Sequence, residues 1–186
     1  MIPPHVDESP ETRWSPTEEV LSLAKRKAQA FASRFPNTLL VGSDTLINLE
    51  GQKIGKPSGP ADAHRILGQL RGRGHDVLTA IAMLHPDSGM SFEWIESVRV
   101  RMRNFSDDEL NAYAASDEPQ DKAGAYSLQG QGRALIEGLD GDYLAAVGLP
   151  LRAVAHGLRQ MGVAVNVNVD TVYQERNFLN WRLYQP

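Results

Sequence analysis

The sequence predicts a mixed α/β domain built around one twisted sheet, and three features of its patterning predict it. Segments with helical spacing alternate with apolar runs of strand length, the order of a layered α/β domain. The strand-length runs are joined by short turn sequences, Glu50-Gly51 and His85-Pro86-Asp87-Ser88-Gly89. Neighbouring strands therefore fold back as hairpins, which argues against a doubly wound parallel sheet. At 186 residues the chain is long enough for one well-buried core, and one domain is the expectation.

Each element follows from its residues. Residues 1–14 are rich in Pro and acid and read as an extended lead-in. Ser15-Pro16-Thr17-Glu18 opens a helix: Ser15 caps, Pro16 suits the first helical position, and Glu18 completes a capping box. Val20, Ala24, Ala28, Phe31 and Phe35 continue at helical spacing, and Pro36 bounds the helix. Lys25, Arg26 and Lys27 are consecutive, so they fan around it, with at least one near its buried side.

Thr38–Ile54 reads as strand, turn and strand, and Pro60–Leu70 as a helix with Ala63, Ile66, Leu67 and Leu70 on one stripe. His75–Leu84 is a buried strand. Phe92–Arg103 is a strand whose Val98, Val100 and Met102 alternate with Arg99, Arg101 and Arg103. The arginine face reads equally as the wall of an anion cleft or as a solvated sheet face.

Ser106-Asp107-Asp108-Glu109 is a second capping box, opening a short helix through Tyr113. The long irregular stretch Ser116–Gly132 follows; such a loop inside a domain is usually functional or disordered. Ala134–Leu139 is a strand. Leu151, Val154, Ala155, Leu158 and Met161 form the stripe of a last core helix stopped by Gly162. Val163, Val165, Val167 and Val169 alternate as an edge strand or extended tail would, and the aromatics beyond them lack periodicity.

Composition narrows the function classes. A net charge of −4 gives no basic footprint for nucleic acid. No apolar run approaches the roughly 20 residues of a membrane span, and the first residues lack the pattern of a signal peptide. The expected location is the cytoplasm. With no cysteine, disulfides, thiolate zinc sites and thiol nucleophiles are excluded. The five histidines, His5, His64, His75, His85 and His156, show no metal-ligand spacing and read as structural or surface residues.

The most suggestive stretch is Val41–Pro57, in which Asp44 follows an apolar run and Lys56 lies past the next turn. Paired as a hairpin, the two could face one pocket suited to anions. It is not a P-loop: Gly51 and Gly55 enclose three residues, and Pro57 stands where a metal-holding Ser or Thr belongs. Taken alone, the stretch slightly favours a plainer reading, with Gly-Ser-Asp-Thr an Asx-capped turn and Lys56 a solvated charge. Asp7, Glu8, Asp44 and Asp121 sit beside Gly- or Pro-marked turns and suit Mg²⁺ or Mn²⁺, while Lys56 and Lys122 can neutralise phosphate. From the residues themselves the reading stops at metal-assisted phosphate chemistry.

A set of motifs in order goes further. These are Val-Asp-Glu at 6–8, Gly-Ser-Asp-Thr at 42–45, Gly-Lys-Pro at 55–57, Asp-Lys-Ala-Gly-Ala-Tyr at 121–126, Leu-Gln-Gly-Gln-Gly at 128–132, Gly-Asp-Tyr at 141–143 and Val-Gly-Leu-Pro-Leu at 147–151. Together they resemble the Maf family of nucleoside triphosphate pyrophosphatases, over about residues 1–165, with 166–186 left as a tail.

The resemblance implies an elongated, twisted mixed sheet flanked by helices, in two lobes with a central cleft. It implies hydrolysis of a nucleoside triphosphate between the α and β phosphates, with a divalent cation, Mg²⁺ or Mn²⁺, and a homodimer as the assembly. Asp44 matches the family's proton acceptor. Lys27, Lys56 and Lys122 match phosphate-binding positions, and Glu8, Asp44 and Asp121 metal-binding ones. Thr45 and Gln129 match the subgroup that prefers dTTP and UTP. Gln offers both donor and acceptor to a pyrimidine edge.

One departure stands beside these matches. Family members carry a Ser-Pro-Arg-Arg segment ahead of Val-Asp-Glu, and this sequence begins at Met1, just before that motif. Against the resemblance, either the true start lies upstream of Met1 or this is a shortened form. Arg99, Arg101 and Arg133 are the remaining arginines to weigh as substitutes, and a catalytically impaired nucleotide-binding protein, linked to division control, is the alternative.

Overall fold

Two serine caps and two tight turns set the layout of the computed structural model, which describes residues 3, 6–9 and 11–184. His5, Gln185 and Pro186 lie outside the described residues. Ser15 caps α1 (Pro16–Gln29) and Ser106 caps α3 (Asp107–Ala114), each in a complete capping box with Glu18 or Glu109. Strand β1 (Leu40–Leu49) turns into β2 (Gln52–Ile54) through Glu50 and Gly51, both at positive φ, the two-residue turn whose twist suits a hairpin.

Helix α2 (Pro60–Leu70) leads to β3 (Gly74–His85), which folds back on β4 (Met90–Met102). After α3 come several 3-10 turns and then β5 (Ile136–Asp140), α4 (Tyr143–Ala146), α5 (Leu151–Gln160) and α6 (Val169–Glu175). The strands form one sheet in the order β2-β1-β3-β4-β5.

The mixed α/β class predicted from the sequence is what the structure shows. The mixed sheet implied by the resemblance is, among the described residues, antiparallel in all its pairings. The short β1–β2 and β3–β4 turns leave no room for a parallel crossover there.

The sheet's period of two sorts the core. On one face Leu46, Leu78, Ala80 and Ala82 meet Val20, Ala24 and Ala28 of α1. On the other, Ile47, Val77, Val98 and Val100 join the larger cluster with α2, α3 and α4. Helix α5 closes a third cluster on Ile81 and Met83.

Two sequence expectations are corrected. Helix α1 ends at Gln29, so Phe31 and Phe35 lie in turns beyond it and pair with each other, ring centroids 6.4 Å apart. The valine alternation makes no strand: 163–168 is irregular, and Asn168 caps α6 through the Thr171 amide, so Val169 becomes a helical residue. The aromatics beyond it, which follow no period, include Trp181 and Tyr184, both buried in the main cluster.

His75, at the start of β3, is fully buried and its Nε2 lies 2.7 Å from the Tyr126 hydroxyl. Burial, with the Arg99 charge nearby, lowers its pKa to about 4. Unfolded histidine titrates near 6.5, so below that pH the unfolded chain binds a proton that the folded one refuses. Stability should be full above pH 6.5 and fall by about 3 kcal/mol as pH drops to about 4. Denaturant titrations at pH 7 and 4.5 should show this loss, and His75→Phe should remove most of it; an unchanged slope would contradict the assignment.

Candidate active site

The β1–β2 pairing begins only at Ile47, opposite Ile54. Ser43, Asp44 and Thr45 pair with β3 on one side, and no strand among the described residues pairs with their other edge. Side chains from both faces of β1 therefore reach the same space. A cavity of about 300 Å³ occupies it, at the lower end of small-molecule sites. It is lined by Lys27, Ser43, Asp44, Thr45, Lys56, Asp121, Lys122 and Gln129, with Ile47, Val77, Tyr126 and Leu128 supplying apolar surface.

Asp44 points to the α1 face. Helix α1 brings Lys27 within 2.6 Å of Asp44 Oδ1, and the same ammonium lies 2.7 Å from Glu8 Oε1. Burial is the largest influence on Asp44 and raises its pKa against the pull of Lys27. Burial alone would depress Lys27, but its hydrogen bonds to Asp44 and Glu8 carry it upward, so it stays cationic. The Lys27 hydrogen bond lowers Glu8.

These residues fit a hard divalent cation. Two carboxylate oxygens converge on one cationic position, and all the donors are oxygens. Among the described residues, no three His, Asp or Glu side chains form a ready ligand cluster. A Mg²⁺ held by one or two of these carboxylates would have to complete its shell with water and substrate phosphate.

Opposite Asp44 stands the 121–125 loop. Its Gly124, at positive φ, packs so closely on β1 that a Cβ would lie 2.2 Å from Ile47 Cδ1. The Gly124 amide donates to the Gly55 carbonyl at 3.0 Å, tying this loop to the Lys56 segment. Lys56 thereby lines the cavity with Asp44 and Asp121, and Asp121 pairs with Lys122 at 2.6 Å, a hydrogen bond that lowers its pKa.

The segment carrying Gln129 is held from behind by Glu118, which sequence reasoning left inside an irregular stretch. Its carboxylate accepts from the Gln131 amide at 2.7 Å, the Gly132 amide at 3.0 Å and the Tyr113 hydroxyl at 2.9 Å. The pairing signal, Glu followed 13 residues later by Gln-Gly, is too long-range for local patterning to show.

The C-terminal residues brace the same segment: Asn180 Nδ2 donates to the Leu128 carbonyl at 3.1 Å, and Tyr143, stacked on Trp181, donates to the Leu179 carbonyl. Glu118→Ala would leave three donors without their acceptor. A loss of about 3 kcal/mol in denaturant stability is expected, and a loss below about 1 kcal/mol would contradict this clamp.

Of the arginines weighed as substitutes, Arg99 pairs with Asp76 at 2.9 Å, and Arg133 donates to the Ile136 carbonyl and lies over the Tyr184 ring. Neither these nor Arg101 lines the cavity, whose cations among the described residues are lysines. The sheet face that carries Arg99 is the ion-paired surface, not the cleft wall.

Comparison with known proteins places the chain among relatives. The family model described as Maf-like protein matches residues 1–161. A dTTP/UTP pyrophosphatase of Dictyoglomus turgidum is 39% identical over 166 residues, covering 89% of this chain and 86% of that protein. One from Moorella thermoacetica is 41% identical over 163 residues, 88% of this chain and 84% of its own. One from Symbiobacterium thermophilum is 40% identical over 162 residues, 87% and 82% respectively.

Proposed function

The chain belongs to the Maf family, and from that premise we propose that it hydrolyses dTTP and UTP to the nucleoside monophosphate and pyrophosphate. The observation that carries the reading is a partly buried carboxylate, Asp44, held by Lys27 at the edge of a cavity that also gathers Lys56, Lys122, Thr45 and Gln129. The relatives' printed activity supports the substrate pair.

The triphosphate lies along the three lysines. The base occupies the apolar end among Ile47, Val77, Tyr126 and Leu128, with Thr45 and Gln129 at its polar edge. Asp44 takes the proton from a water whose oxygen bonds to phosphorus as the α–β anhydride bond breaks, and pyrophosphate leaves. A pKa raised by burial makes Asp44 a stronger proton acceptor. A bound Mg²⁺ or Mn²⁺, held by Glu8 and Asp44 with Asp121 nearby, would neutralise phosphate charge. The cytoplasm and a homodimeric state are proposed on family likeness.

The test is product identity. Purified protein with Mn²⁺ should convert UTP to UMP and pyrophosphate. UDP with orthophosphate would overturn the reading, as would no turnover. Tight UTP binding without turnover would favour the non-catalytic alternative.

A further inference from the structure

Thr45 lies on the face of β1 opposite Asp44, beneath Gly148, and its Oγ1 is 2.9 Å from Thr79 Oγ1. Thr79, its cross-strand partner on β3, is fully buried and lines no part of the cavity. Thr79 Oγ1 is also 2.8 Å from the Ala145 carbonyl oxygen.

A carbonyl brings no proton, so two oxygens at that distance require the single Thr79 proton between them. The Thr45–Thr79 contact then needs the Thr45 proton. With its hydrogen directed away, Thr45 shows the cavity lone pairs only. Ser43 is committed in the same way, its one proton shared between the Ala80 carbonyl at 3.0 Å and the Gly148 carbonyl at 2.8 Å.

We propose that Thr79 is a positioning residue for base selection, fixing Thr45 as a hydrogen-bond acceptor so that the site takes a pyrimidine whose ring nitrogen carries a hydrogen and refuses one whose ring nitrogen is bare. This rests on the base-site reading above. Uracil and thymine present an N3–H and match an acceptor. Cytosine presents an unprotonated N3, whose lone pair would face that of Thr45. A site with fixed polarity discriminates strongly, because the wrong partner leaves its groups opposed.

The test compares UTP with CTP in wild type, Thr79→Val and Thr79→Ser, by kcat/KM and by calorimetric Kd. Valine keeps the shape and removes the acceptor, freeing the Thr45 hydroxyl to donate into the cavity. The Ala145 carbonyl keeps the Gly148 amide at 2.9 Å, so the substitution orphans nothing. Wild type should prefer UTP. Thr79→Val should lower the UTP-to-CTP ratio by at least about tenfold, chiefly by admitting CTP, with kcat for UTP little changed. Thr79→Ser should restore the wild-type ratio, which a packing role would not.

A folded Thr79→Val protein with the wild-type ratio overturns the proposal, as does wild type that binds UTP and CTP equally. The wild-type comparison decides even where the valine variant fails to fold. If UTP is bound selectively but not hydrolysed, the catalytic reading fails and this one stands. If UTP is hydrolysed and the ratio ignores Thr79, the reverse holds.

Discussion

Asp44→Asn should lower kcat for UTP by about 10³-fold, within the range attributed to a positioned general base, while leaving nucleotide affinity within a few-fold. The amide preserves the shape beside Lys27 but accepts no proton from water. The Lys27 ammonium keeps Glu8 at 2.7 Å, so the cationic wall persists in the variant. Pyrophosphate release and calorimetric binding, measured together, separate lost chemistry from lost binding. A residual rate within tenfold of wild type would remove Asp44 from the mechanism. Wild type should also lose activity as pH falls through the Asp44 pKa, on an acid limb lying above the ordinary aspartate range because burial raises that group. The variant should lack this limb.

Gly42→Ala should be nearly as damaging, through packing. A Cβ at Gly42 would lie 2.2 Å from the Ala24 carbonyl oxygen and 2.6 Å from the Ala28 amide nitrogen. Both are backbone atoms of α1, so no side-chain rotation relieves the clash and the helix must move off the sheet. A stability loss of about 3 kcal/mol is expected, at the upper end for overpacking, which is about 10 °C in Tm for a chain of this size. Because α1 carries Lys27, the shift should also weaken its pairing with Asp44 and reduce turnover. Gly68→Ala is the control. That glycine is helical, exposed and has nothing within 4 Å of an added Cβ, so about 0.5–1 kcal/mol of stabilisation is expected. Equal effects at both sites would contradict the close-contact argument.

The difference between these two glycines shows what the sequence conveys and what it does not. Capping boxes, the Glu50-Gly51 turn and the apolar stripes of α1 and α2 are local signals, and the elements they announce are present. Asp44 and Lys56 are close in the chain, so a hairpin places them near one another from sequence alone. Gly42 under Ala24, Glu118 under Gly132 and Thr79 under Ala145 are contacts between distant segments, and nothing in local periodicity marks them. The valines before α6 mislead because alternation of small apolar residues reports β propensity, whereas Asn168 and the packing of Trp181 settle that segment. Lys27 is legible as a site residue only through the motif resemblance; its contact with Asp44 depends on how α1 sits on the sheet, which the helix's alanine stripe permits but does not dictate.

The two-faced stretch Ser43–Thr45 of β1 has a consequence for how this site can change. The hydrolytic group and the base-reading group proposed above are adjacent in the chain, yet they project into different layers of the protein, Asp44 toward α1 and Thr45 toward α4. Substitutions at 45 and its neighbours on that side can retune substrate choice without disturbing the lysine–carboxylate cluster. A single inserted residue upstream in β1 would do the opposite. It would invert the strand, exchange the two roles between layers and abolish both at once. Selectivity is therefore free to drift by substitution, while the length of this strand is not.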